Sequence, residues 1–209
     1  MNDERVVVSG GSGLIGSELI RALRAEGRRA VQLVRGPART SDEIEWHPDG
    51  TPLDPAALAG AAAVVNLNGA SIGRLPWTRG YRETLRESRI LPTRTLATAI
   101  RELGSAAPKL VSASAVGVYG TRPGEALTEA SGTGTTFLAE LCADWEQEAL
   151  DAGAAARVAL LRTAPLLHPC GVLKPMIRLT RWGLGGPLGG GSQIWPWISL
   201  DDEVRAIRH

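Results

Sequence analysis

Lysine is nearly missing from this chain. Of its 23 basic residues only Lys109 and Lys174 are lysines, so arginine is the default cation and chemistry that needs a lysine amine has two places to find one. Charge of one sign is missing too. The 22 acidic residues bring the formal net charge to +1, which argues against a dedicated nucleic-acid or membrane-surface protein. The two cysteines, Cys142 and Cys170, share no motif spacing, so neither a disulfide framework nor a metal site is expected; both read as small apolar fillers in a reduced protein. No apolar run approaches the roughly 20 residues that cross a bilayer. The opening Met1-Asn2-Asp3-Glu4-Arg5 is charged where a secretory signal has an apolar core. These absences leave a cytoplasmic protein whose partner is a small molecule, not a nucleic acid or a membrane.

What is present is glycine in a particular place. The β-branched run Val6-Val7-Val8-Ser9 leads into Gly10-Gly11-Ser12-Gly13-Leu14-Ile15-Gly16 and then into helical periodicity. Strand, tight turn and helix follow in the order a dinucleotide site requires. Gly10 permits the turn, Gly13 lets the backbone approach a pyrophosphate, and Gly16 lets the helix pack closely on the strand. The diphosphate is then received by free N–H groups at the positive end of the helix dipole.

Strand and helix keep alternating. Strands are expected at Arg5–Ser9, Ala30–Arg35, Ile44–His47, Ala63–Leu67, Leu110–Ala115 and Arg157–Leu161. Helices are expected at Leu14–Glu26, from Thr78 to Leu103 with Pro92 kinking or dividing it, at Thr136–Ala152 and at Val172–Leu184. Asp54-Pro55 reads as a helix start, Gly183–Gly191 as a loop, and Ile194–Leu200 as an extended segment. The order implies an α/β fold, a doubly wound, Rossmann-like parallel sheet with helices on both faces.

Beyond the glycines, Val34-Arg35 closes the second strand where an NAD site carries a carboxylate. Arginine there suits a 2′-phosphate, so NADP(H) is expected over NAD(H). Asn66-Leu67-Asn68-Gly69-Ala70 follows the fourth strand, placing Leu67, Asn68 and Gly69 beside the adenosine ribose and pyrophosphate. Arg79, Arg82, Arg86 and Arg89 form one helical stripe, interleaved with Glu83 and Glu87 as a solvated, ion-paired face, with Arg89 the one expected to face a phosphate.

Over essentially its whole length the chain resembles the atypical, epimerase-like branch of the extended short-chain dehydrogenase/reductases, the nucleoside-diphosphate-sugar epimerase-like group. The resemblance runs through the glycine turn, Val65–Ala70, Ser88-Arg89-Ile90, Ser112–Gly120, Phe137–Glu146, Leu161-Arg162-Thr163 and Trp197–Asp202. It implies one NADP(H)-binding domain over 1–209, a nicotinamide contact near Leu166, and a substrate-side region beyond His209. It also implies monomers or homodimers paired through the helices after the fourth and fifth strands.

Ordinary relatives carry a Tyr-x-x-x-Lys pair, in which the lysine lets the tyrosine move a proton at neutral pH. Here Tyr81 is followed four residues on by Leu85 and Tyr119 by Pro123; Leu138 and Cys142 take the pair's positions, with Glu146 matching a glutamate shortly after the lysine. Ser114 resembles the catalytic Ser/Thr position, with Ser112 competing for the assignment. Tyr119 is a packing residue under the nicotinamide or a substitute proton donor, and Glu140 and His168 are lesser acid/base candidates. Two functions stand: an NADP-dependent oxidoreductase or epimerase-like enzyme acting on a nucleotide sugar or small carbonyl compound, and a non-catalytic NADP(H) sensor working through a protein partner.

Overall fold

A computed structural model describes residues 4–186, 190–191 and 193–209. Six parallel strands form one sheet: β1 (Arg5–Ser9), β2 (Arg29–Val34), β3 (Glu43–Glu45), β4 (Ala63–Asn66), β5 (Lys109–Ala115) and β6 (Val158–Thr163). Their order across the sheet is β3-β2-β1-β4-β5-β6, so the strand order switches direction between β1 and β4 while all strands stay parallel. In such sheets ligands bind beyond the carboxyl ends of the strands at that switch point. The doubly wound fold expected from the alternation is the one observed.

Strand alternation sorts the core into two layers. Val7, Val31, Leu33, Val64 and Leu110 lie under α2 (Arg79–Glu102) and α3 (Phe137–Leu150) with Leu96, Ile100 and Ala149. Val6, Val8 and Val65 pack against Leu19, Ile20 and Leu23 of α1 (Leu14–Ala25) and Val204 and Ile207 of the last helix. The remaining helices are α4 (Leu173–Arg181) and α5 (Leu200–Arg208).

Several expectations change. Pro92 does not divide α2, which runs unbroken. Pro92 is itself buried on a helix whose Ile90, Thr93 and Leu96 are also buried, and tertiary packing of that face outweighs the roughly 3 kcal/mol an interior proline costs. Asp54-Pro55 opens only a short 3-10 turn, capped by the Asp54 carboxylate accepting from the Ala56 N–H at 2.9 Å. The segment near Ile194–Leu200 is extended at Ile198, which bridges Leu166 in parallel, but Leu200 already begins α5. A 3-10 turn at Val116–Tyr119 went unread. Part of the Gly183–Gly191 loop, residues 187–189, lies outside the described residues. Cys142 is buried but Cys170 is exposed, so the second is no filler. Among the described residues no helix is long and apolar enough to cross a membrane.

The arginine stripe on α2 is not an internally paired face. Arg86 pairs with Asp144 of α3 at 2.5 Å, and the Arg82 guanidinium lies 5.2 Å from the Phe137 ring centre. Among the described residues neither Glu83 nor Glu87 joins an ion pair, because the stripe faces a neighbouring helix with groups of its own to offer.

Candidate functional site

The glycine turn crosses the carboxyl end of β1 as its sequence requires. Gly10 sits at φ +74°, and a Cβ there would lie 2.5 Å from the Leu67 carbonyl oxygen, so both conformation and contact demand glycine. A Cβ on Gly16 would meet the Gly11 Cα at 2.7 Å, which is why α1 can lie so close to the turn. The Gly13 N–H donates to the Gly10 carbonyl at 3.0 Å and closes the turn. Ser12 and Gly13 are exposed, Leu14 and Ile15 half-buried, and Gly11 and Gly16 buried. The N–H groups of Leu14, Ile15 and Gly16 at the start of α1 have no backbone partner among the described residues, and at the switch point such a cradle fits a dinucleotide's diphosphate. Val34 is half-buried at the end of β2 and Arg35 beyond it is exposed; among the described residues no carboxylate pairs with it.

Below the cradle lies a polar network that the sequence did not announce. The Asn68 side-chain amide donates to Ser9 Oγ at 2.7 Å and to Asn66 Oδ1 at 2.8 Å, so it braces β1 against β4. Asn66 Nδ2 donates to Thr93 Oγ1 at 2.7 Å and Ser112 Oγ at 3.1 Å, and Trp145 Nε1 donates to the same Thr93 oxygen at 2.8 Å. Ser112 is thereby fully committed beneath the sheet end. Satisfied networks of this kind rigidify what rests on them.

Arg89 is turned onto protein carbonyls. Its Nη1 donates to Leu85 O at 2.9 Å and its Nη2 to Ala70 O at 3.0 Å, and its guanidinium lies 5.3 Å from the Trp145 ring centre. Burial pulls its pKa down from the ordinary arginine value, and no carboxylate among the described residues pairs with it. It packs so close under the loop that a Cβ on Gly69 would meet its Cζ at 3.1 Å. What the structure shows is an arginine that holds the β4–α2 loop.

At the ends of β5 and β6 the candidate hydroxyls converge on one ion pair. Arg162 donates from Nε to Glu146 Oε1 and from Nη2 to Glu146 Oε2, both at 2.9 Å. Ser114 Oγ donates to Glu146 Oε1 at 2.6 Å, while Tyr119 Oη accepts from Arg162 Nη1 at 2.9 Å. Burial pushes the Glu146 carboxyl up, but the hydrogen bonds from Arg162 and Ser114 and the Arg162 charge outweigh it and hold the carboxyl below its usual range. The same bond to Glu146 raises Arg162 above the ordinary arginine value. The cluster joins β5, β6, α3 and the turn at Tyr119. Sequence reasoning used Glu146 only as a register mark and gave Arg162 no role.

Comparison with known proteins agrees with this geometry. The NAD dependent epimerase/dehydratase family matches residues 6–209. The chain belongs to that family. The epimerase family protein Mb2239 of Mycobacterium bovis is 44% identical over 205 residues, covering 97% of this chain and 67% of the relative. A nucleoside-diphosphate sugar epimerase from Corynebacterium glutamicum superposes with a TM-score of 0.84 at 34% identity, over 99% of this chain and 43% of that one. Human epimerase family protein SDR39U1, solved with NADPH, superposes at 0.83 with 29% identity, over 96% and 67%. The chain therefore spans about two thirds of the mycobacterial relative and less than half of the corynebacterial protein.

Leu138 and Cys142, expected from the resemblance at the tyrosine and lysine positions, both lie on α3. Leu138 packs with Leu85, Leu141 and Trp145. Burial pushes the Cys142 thiol up to about 11, so it stays a neutral thiol at physiological pH. Glu140 is exposed on α3. His168 Nδ1 accepts from the Cys170 N–H at 3.1 Å, a turn-forming bond. Leu166 is half-buried against Ile198.

Proposed function

We propose that the protein binds NADP(H) across Gly10–Gly16 and serves an oxidoreductase or epimerase-like reaction on a small carbonyl compound or nucleotide sugar without a Tyr-x-x-x-Lys pair. The observation that carries the cofactor reading is the glycine turn seated against Leu67 at the sheet's switch point, with its helix N–H groups open. Exposed Arg35 at the end of β2 supports NADP(H) over NAD(H), as does the NADPH bound by the human relative. The chemistry such a cofactor supplies is hydride transfer.

For the accompanying proton, Tyr119 is better provided than Ser114. The Ser114 proton is committed to Glu146, whereas the Tyr119 oxygen only accepts from Arg162 and its own proton has no acceptor among the described residues. The non-catalytic sensor is the second reading, favoured by the burial of both hydroxyls, 4% exposed at Ser114 and 9% at Tyr119.

Arg35→Asp is expected to weaken NADPH binding by about 100-fold, through lost pairing and added repulsion, and to leave NADH nearly unchanged. Fluorescence titration of both cofactors checks this, and equal losses would sink the specificity. Tyr119→Phe should retain NADPH binding while abolishing NADPH oxidation on a panel of carbonyl compounds and nucleotide sugars, assayed in a chain extended to the length of the mycobacterial relative. No oxidation by the parent on any compound decides for the sensor.

A further inference from the structure

Among the described residues, the loop after Gly69 is held from the side of α2. Three consecutive carbonyls are taken by side chains of α2 and its approach: Ala70 O accepts from Arg89 Nη2 at 3.0 Å, Ser71 O from Tyr81 Oη at 2.5 Å, and Ile72 O from Trp77 Nε1 at 3.1 Å. Ser88 Oγ adds a fourth tie by accepting from the Ala70 N–H at 2.9 Å. The peptide bonds here are trans, the cis bond in the region being Leu75–Pro76. In a trans peptide the N–H points opposite to the C=O of the same unit. Pinning the carbonyls of 70, 71 and 72 toward α2 therefore turns the N–H groups of 71, 72 and 73 away from it. The Gly73 N–H finds the Ser71 hydroxyl at 3.2 Å. Those of Ser71 and Ile72 have no partner among the described residues, and both residues are exposed. Successive N–H groups aimed outward bind anions. Exposed Arg74 stands beside them, its guanidinium 5.0 Å from the Tyr81 ring centre and without an ion-pair partner among the described residues.

We propose that the Ser71 and Ile72 N–H groups, with the Arg74 guanidinium, form a subsite for an anionic group of the second substrate, a phosphate or a carboxylate. Its place next to Gly69 rests on the reading of Leu67–Gly69 as the cofactor side. Tyr81 and Arg89 are then positioning residues, acting on the ligand through the carbonyls they hold.

Amide spectra of the ¹⁵N-labelled chain test this with inorganic diphosphate and succinate as probes. Saturable shifts at the Ser71 and Ile72 amides are expected with one or both probes, and the probe that saturates names the class. Arg74→Gln should weaken that binding about tenfold. Tyr81→Phe, which releases the Ser71 carbonyl, should weaken it about threefold while the rest of the spectrum matches the parent. The same titration with NADPH present should give the same shifts. No shift at these amides, shifts matched by sodium chloride at equal ionic strength, binding indifferent to both substitutions, or loss of the site when NADPH saturates would each overturn the proposal. NADPH binding is read separately at the Gly11 and Ser12 amides. Silence there with shifts intact at Ser71 and Ile72 would overturn the cofactor reading and leave the subsite standing.

Discussion

Arg162 and Thr163 stand side by side at the end of β6 and point to opposite faces of the sheet, where each meets a buried glutamate. On the α3 face Glu146 receives two bonds from Arg162 and one from Ser114. On the α5 face Glu203, 3% exposed, receives one bond from Thr163 Oγ1 at 2.7 Å, and no cation among the described residues pairs with it. The consequences have opposite sign. The Glu146 carboxyl is held below its usual range, whereas burial pushes that of Glu203 up against a weaker pull from Thr163. One residue of strand alternation separates a satisfied charge from a carboxyl that burial favours as neutral.

The largest effect expected from breaking this comparison is at Glu146. Glu146→Gln leaves Arg162 facing no charge and should cost about 2–3 kcal/mol in urea unfolding, less than for a fully dry pair because the Arg162 side chain keeps 24% exposure. The sign with pH follows from the lowered carboxyl. The parent's advantage is full above the unfolded value near about 4.3 and disappears as pH falls through the lower folded value. A constant gap from pH 7 to pH 2 would count against the ion pair as its source.

Glu203→Gln should go the other way, because its raised carboxyl binds protons more readily folded than unfolded. What Glu203 contributes is present below about pH 4.3 and is lost as pH rises through the folded value. The variant should match the parent at pH 4 and exceed it by about 1 kcal/mol at pH 8. A destabilised variant at pH 8 would mean that the ionised carboxylate has a partner. A change of similar size, but a loss, is expected at Ser114. Ser114→Ala removes one bond to Glu146 while both Arg162 bonds remain, and should cost about 1 kcal/mol. Thermal or urea midpoints measured beside Glu146→Gln show whether the serine is secondary to the arginine.

How much of this was legible varies along the chain. The glycine turn was, since Gly10 and Gly16 are demanded by backbone contacts that any side chain would break. Helix α5 was missed although its signal was present: Ser199 Oγ accepts from the Asp202 N–H at 3.0 Å and donates to the Asp202 carboxylate at 2.8 Å, a cap written as Ser-x-x-Asp. The role of Glu146 was not legible. Its partner Arg162 is 16 residues away on another element, and only the register of β6 against β5, which sets Ser114 opposite Arg162, brings the three together. Arg89 was singled out for a phosphate; its bonds to Leu85 and Ala70, which no sequence pattern marks, come from packing.

The sequence by itself determined the doubly wound sheet and the glycine turn across its switch point. Both follow from local rules: hydrophobic periodicity, and glycine where a Cβ cannot fit. It also determined that no tyrosine stands four residues before a lysine. Tertiary structure alone decided which polar side chains are left for a ligand. Hydroxyls, amides and guanidiniums take whatever partner the packing of distant strands and helices brings within about 3 Å, and that choice is not written in the order of residues.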